Sequence, residues 1–358
     1  IPLRLVGSEM CIRDSLRDSP VFETSQVLAV IPLDDTRVEI FLDKTPFYAE
    51  SGGQVGDTGT LTTDSGVFEV SDCTLALPSL HRHLGKVVSG KITPGAVANA
   101  AINDDRRSSI RRNHTATHIL HWALREILGE HVKQAGSLVA PERLRFDFSH
   151  FEAVTVEQLN QIEDLVNLEV LGNDQCRHFE TTMKDAQDLG AVAFFGDKYG
   201  DIVRVLEAGG HSLELCGGTH VNALGDIGHI RIVGESSIGS NLRRIEAVTG
   251  VATVERHRKA EDTLGKIADV LNATNEEIID VLEKRLLENK DLRNQIKMFQ
   301  QKEAGSRSVE LAASAIDGIV VTRVDSMSRD SLRDLAAAIQ KENGIEAVSY
   351  THLTLPTN

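Results

Sequence analysis

Two short motifs about a hundred residues apart constrain this chain more than any other feature. Asn113-His-Thr-Ala-Thr-His118 spaces two histidines four residues apart. On a helix that spacing sets both imidazoles on one face, about 6 Å apart at Cβ. Cys216-Gly-Gly-Thr-His220 places two glycines between a thiol and an imidazole. Backbone freedom at Gly217 and Gly218 lets both side chains turn towards one point. Either motif alone reads as an ordinary helix face or a plain turn. Together they supply three nitrogens and one sulfur, a donor set suited to tetrahedral Zn2+. His114, His118, Cys216 and His220 are therefore the candidate metal ligands. The helical pair lacks the internal glutamate of the His-Glu-x-x-His zinc proteases. His121, His131 and His211 are spare and stay outside the site.

Around these motifs the chain reads as an α+β multidomain protein. Residues 21–103 carry short strand-like runs punctuated by turns, such as Val27–Ile31, Arg37–Leu42, Thr60–Thr62 and Val67–Val70. That pattern predicts a small β-barrel. Within it, Phe47–Asp57 is a loop dense in glycine and small polar residues. Residues 104–252 are expected to form one α+β domain. A helix runs from Arg106 to Leu128 and is closed by Gly129. A second runs from Val156 to Leu171 behind a capping box at Thr155–Gln158. Strands are expected near Ala191–Phe195, Ile202–Leu206, Ser212–Leu215 and His229–Val233. Residues 253–305 read as a helical hairpin or short coiled coil, broken at Asn272 and capped again by Thr274–Glu277. Its apolar stripe is Ile278, Leu282, Leu286, Leu292, Ile296 and Phe299. Residues 306–347 read as the start of a β-α unit, with a strand at Gly318–Val324 and a helix at Ser331–Lys341. The two ends, 1–20 and 348–358, read as foreign to the rest. Ile1–Ser15 and Val348–Asn358 resemble translated adapter sequence, so Cys11 and His352 are left out of the site.

Composition enters only to exclude. With 41% hydrophobic and 25% charged residues the chain is ordinary for a globular protein. No apolar run approaches the ~20 residues that span a bilayer. Four cysteines without a CxxC pair point to single thiols in a reducing cytoplasm. A net charge of −15 argues against a generic nucleic-acid coat protein. Local basic clusters remain, at Arg106, Arg107, Arg111 and Arg112 and at Arg243 with Arg244.

His-x-x-x-His followed by Cys-Gly-Gly-Thr-His resembles the signature of the editing domains of alanyl-tRNA synthetases and their free-standing relatives. Threonyl-tRNA synthetases carry a similar motif. Three further segments resemble the alanyl family: Tyr48–Asp57, Gly209–Val221 and Arg243–Gly250. The likeness covers roughly Val21 to Ala347, as in an internal piece of such a synthetase without its class II catalytic domain. It implies hydrolysis of serine or glycine esters of tRNA(Ala), with zinc activating water or holding the substrate. By the same resemblance, Thr117 and Gln134 contact the aminoacyl group. Arg111, Arg112, Arg243 and Arg244 hold acceptor-stem phosphates. It further implies no amino-acid activation by this stretch alone, and self-association through the C-terminal helices. A free-standing trans-editing deacylase would carry the same domains, but the helices after Gly250 favour a synthetase piece. A threonyl enzyme would continue into a catalytic core instead. A non-catalytic zinc module that only binds tRNA usually draws its ligands from close-set cysteine pairs.

Overall fold

The structure is a computed structural model that describes residues 21–192, 200–324, 327, 329–342 and 344–346. Both tails, 1–20 and 348–358, lie outside the described residues, as does 193–195 of the strand expected near Ala191. The chain divides into two compact units, Ile1–Arg258 and Lys259–Asn358.

The first unit opens with six strands: β1 (Val21–Pro32), β2 (Val38–Leu42), β3 (Gly59–Thr63), β4 (Gly66–Leu77), β5 (Leu80–Gly90) and β6 (Val97–Ile102). They close into a barrel in the order β1-β2-β5-β4-β3-β6, every pair antiparallel. Alternation drives the closure. Leu61 faces in between exposed Thr60 and Thr62, and Phe68 and Val70 face in on either side of exposed Glu69. Val27, Ile40, Cys73 and Ala100 complete the filling.

Helix α1 (Asp104–Leu128) leaves the barrel directly. The Asn103 side chain caps it by accepting from the Arg106 amide at 3.0 Å. Gly129, at φ +112°, ends it in a conformation that disfavours any other residue. Its apolar face, Ile119, Leu120, Ala123 and Leu124, packs in one core with Phe146, Phe148, Ile245 and Ala247. Those side chains come from a four-stranded antiparallel sheet in the order β12-β13-β8-β7. Its strands are β7 (Gln134–Val139), β8 (Leu144–Ser149), β12 (Ile230–Gly239) and β13 (Leu242–Thr249). Helix α2 (Val156–Gly172) covers the same core with Ile162, Val166 and Val170, and its Thr155–Gln158 capping box is formed. A three-stranded sheet, β11-β10-β9, is built from β9 (Cys176–Thr182), β10 (Ile202–Ala208) and β11 (Ser212–Leu215), with the short helix α3 (Met183–Asp188) after β9. Val192 bridges to Glu214 of β11.

Helix α4 (Val251–Leu271) begins in the first unit and ends in the second. After the break, the Glu277 carboxylate accepts from the Thr274 amide at 3.0 Å and its hydroxyl at 2.9 Å. Helix α5 (Ile278–Ala313) follows, then α6 (Arg329–Ile339), where Leu335 and Ile339 pack with Ala304 of α5. Most of the α5 stripe, from Leu282 to Phe299, is exposed. The strand expected at Gly318–Val324 does not form. Among the described residues, this stretch carries only a bridge between Ile316 and Ile319.

Candidate metal centre

Two pieces of chain converge on one point. Helix α1 brings His114 and His118, and the loop after β11 brings Cys216 and His220. All four potential ligand atoms lie within 4.8 Å of one another, with the histidines buried and the cysteine half-buried. Cys216 Sγ stands 3.5 Å from His114 Nε2 and 3.2 Å from His220 Nε2. A tetrahedral zinc with ordinary Zn–N and Zn–S bonds would separate those atoms by about 3.6 Å. The cluster therefore has the size of a zinc site as well as its donors.

The imidazoles are also turned the right way. His114 Nδ1 meets Gln54 Oε1 at 2.7 Å, and His118 Nδ1 meets a Glu214 carboxylate oxygen. His220 Nδ1 lies 3.3 Å from Thr115 Oγ1. The Thr115 hydroxyl donates its proton to the Arg111 carbonyl at 3.0 Å, so it can only accept from His220. An acceptor at each Nδ1 keeps the proton there and leaves each Nε2 lone pair for an ion, the usual outer support of metal-binding histidines.

Charge follows the same plan. Burial pushes the Cys216 thiol up, but His114, His220 and His118 outweigh it and hold the group well below its ordinary value. Burial disfavours charge on both His118 and Glu214. Their mutual attraction prevails, raising His118 to about 10 and lowering Glu214, so an ion binding at His118 Nε2 must displace a proton, while Glu214 keeps the one on Nδ1. His220 is pushed down to about 3, chiefly by burial, so it stays neutral and able to ligate.

Of the two glycines, only Gly218 has a steric reason. A Cβ there would overlap the His114 ring, whereas the same position at Gly217 meets open space. Thr117 is buried, and its hydroxyl donates to the Asn113 carbonyl at 2.8 Å. Gln134 opens β7 half-buried, its amide 3.3 Å from Ser137 Oγ. The basic clusters are differently placed from a free phosphate-binding surface. Arg243 is paired with Glu235 at 2.5 Å, and Arg244 grips Asp147 through two bonds at 2.7 and 2.8 Å. Arg112 donates to Ser109 at 2.8 Å, and half-buried Arg111 offers its carbonyl to Thr115. Arg107 is wholly buried against Asp57, with its Nε 2.9 Å from Oδ1 and its Nη2 donating to the Pro46 carbonyl at 2.9 Å.

Sequence reasoning passed over Gln54, Thr115 and Glu214. Gln54 lies in the glycine-rich loop, Thr115 between the two histidines of the helical motif and Glu214 in the segment ending at Val221, so all three sat inside stretches already singled out. His121, left outside the site, hydrogen-bonds the second oxygen of Glu214 at 2.8 Å and so steadies the carboxylate that holds His118.

A family model described as threonyl and alanyl tRNA synthetase second additional domain matches residues 203–246. One for class II (A) tRNA synthetases matches residues 22–106. Among full sequences, the chain is similar to alanine–tRNA ligase of Xanthomonas campestris pv. campestris, at 43% identity over 311 residues. It is similar also to those of Saccharophagus degradans, at 45% over 314, and Methylococcus capsulatus, at 48% over 279. The alignments cover 86%, 86% and 78% of this chain, but 35%, 36% and 32% of the relatives. The chain thus spans about a third of the length of the curated relatives it matches. Among the described residues no helix is long and apolar enough to cross a membrane.

Proposed function

We propose, from the premise that this chain is homologous to alanyl-tRNA synthetases, that residues 104–252 are a hydrolytic editing domain. Its substrate is tRNA(Ala) wrongly charged with serine or glycine, met in the cytoplasm, and its reaction is cleavage of the aminoacyl ester. The observation that carries this reading is the buried cluster of three anchored imidazoles and one thiol. A pocket sized for alanine cannot exclude the smaller glycine, and it rejects the added hydroxyl of serine only weakly, so a second site is needed.

His114, His118, Cys216 and His220 would hold zinc, whose charge would activate a water or hold the aminoacyl group by its amine or hydroxyl. Gln54, Glu214 and Thr115 keep the imidazole protons at Nδ1. Thr117 donates its own proton to Asn113 and keeps lone pairs with which to accept from a serine hydroxyl. Gln134 is the second candidate contact to the aminoacyl group. Arg111 and Arg112 face tRNA phosphates in this reading, and Arg243 and Arg244 join them by exchanging carboxylate partners for phosphate. The exposed α5 stripe supports self-association through the C-terminal helices.

The test is deacylation of Ser-tRNA(Ala) beside Ala-tRNA(Ala), with chelator and with zinc restored. The serine ester is expected to be cleaved far faster, since a site built around a hydroxyl can discriminate by ~10⁴-fold. Thr117→Val should narrow that gap while zinc stays bound. Cys216→Ala should lose both zinc and activity. Equal cleavage of the two esters, or full activity in zinc-free protein, would overturn the assignment.

A further inference from the structure

The barrel reaches into the metal centre through the side chain of Gln54. Gln54 lies on the loop between β2 and β3, and none of it is exposed. Its loop is pinned on both sides. The Val55 amide donates to the Val139 carbonyl at 3.1 Å, and the Val139 amide to the Gly53 carbonyl at 2.7 Å. Asp57, three residues on, accepts from the Tyr48 amide at 2.7 Å and is held by buried Arg107. Gly53, at φ +82°, runs so close to Ser137 that a side chain there would collide with it. The loop therefore presents Gln54 in one position.

The amide can face only one way. Oε1 receives the Thr219 backbone N–H at 2.9 Å, which an amide nitrogen could not accept, and Nε2 lies 3.0 Å from Thr219 Oγ1. The same Oε1 stands 2.7 Å from His114 Nδ1, so that nitrogen must carry the proton. One carbonyl oxygen thus orients a ligand on the helix and fixes the loop that carries two others.

We propose that Gln54 is a positioning residue of the metal centre, through which the barrel sets the tautomer of His114 and the register of the Cys216–His220 loop. The proposal rests on the reading of those four residues as zinc ligands. It makes the barrel part of the site, so that metal affinity depends on residues well outside 104–252.

The experiment compares the full chain with Gln54→Met, which keeps length and loses the acceptor, and Gln54→Glu, which keeps the acceptor. Zinc affinity is read by competition with a chromophoric chelator, and the cobalt-substituted proteins by their absorption bands, which report ligand geometry. Loss of such outer support should weaken zinc about 10- to 100-fold in Gln54→Met and alter the cobalt spectrum. Gln54→Glu should remain within about threefold of the parent with an unchanged spectrum. Circular dichroism of the metal-free proteins checks folding, and Gln54→Asn, polar but too short to reach both partners, replaces Met if that variant does not fold. Parent-like zinc affinity in Gln54→Met or Gln54→Asn would overturn the role of Gln54 and leave the metal site standing. Equal loss in Gln54→Glu and Gln54→Met would also overturn it, because shape rather than an acceptor would then be at stake. A parent chain that takes up no zinc would instead remove the reading on which the proposal rests.

Discussion

Helices α1 and α5 look alike in sequence and differ in almost everything else. Both are long and both carry apolar residues at helical spacing. On α1 that stripe is fully covered by a sheet and a second helix. On α5 the corresponding residues are largely exposed, with Leu286 at 62% against 0% for Leu120. Periodicity reports that a segment is helical, but what covers its apolar face is decided by distant chain. For α1 the cover comes from β8, β13 and α2, and the buried polar groups come with it. Of the two, the covered helix carries the candidate site.

The largest expected effect tests that cover at its polar end. Arg107 enters the barrel loop wholly buried and is matched by Asp57 and the Pro46 carbonyl. Arg107→Met would strand the Asp57 carboxylate without its partner, and breaking such a pair from one side costs about 3–5 kcal/mol. Urea denaturation measures it. A loss below about 1 kcal/mol would mean that water replaces the guanidinium and that the junction is looser than its burial implies.

The apolar part of the cover comes next. Leu120→Ala should cost about 2–5 kcal/mol, the range for a buried leucine whose surroundings cannot collapse. Sheet on one side and α2 on the other leave little room for collapse.

These contrasts also explain what was legible beforehand. The four-residue histidine spacing, the Cys-Gly-Gly-Thr-His loop and the capping boxes are local, so chemistry and spacing revealed them. The six-stranded barrel was legible as a class, yet β5 and β6 were not read as strands. β5 mixes His81, Arg82 and His83 into its run, and half of β6 is alanine, with one asparagine. Gln54 and Glu214 were invisible as supports because their partners lie 60 and 96 residues away. The expected strand at Gly318–Val324 shows the converse: its local pattern is good, yet among the described residues the stretch carries only the Ile316–Ile319 bridge.

A smaller effect comes from a buried group that the site does not use. His83 sits inside the barrel with Nδ1 donating to the Ile40 carbonyl at 3.0 Å and Nε2 accepting from Thr45 at 2.8 Å. Burial lowers its pKa from 6.5 to about 4. Between those values the unfolded chain binds a proton that the folded chain refuses. Stability from this group is therefore complete above pH 6.5 and is lost as pH falls through 4, on the order of 3 kcal/mol in all. Denaturation at pH 7 and pH 5 should show the slope, and His83→Gln should flatten it. An unchanged slope would assign the acid sensitivity elsewhere.

The smallest expected effect sharpens the comparison most. Leu286→Ala on α5 removes a large apolar side chain that is mostly in water. Little burial is lost, and alanine is a slightly better helix former than leucine, so the two terms nearly cancel. Stability should stay within about 0.5 kcal/mol of the parent, as for other surface positions. That holds only while the stripe stays exposed. If the chain pairs with a second copy through α5, Leu286 becomes a core residue of the pair, and its loss costs as much as Leu120→Ala. Stability would then rise with protein concentration in the parent and much less in the variant. Denaturation at two concentrations, with sedimentation of both proteins, separates these cases. A concentration-independent loss above about 1 kcal/mol would contradict both, because an uncovered leucine has no interaction of that size to lose.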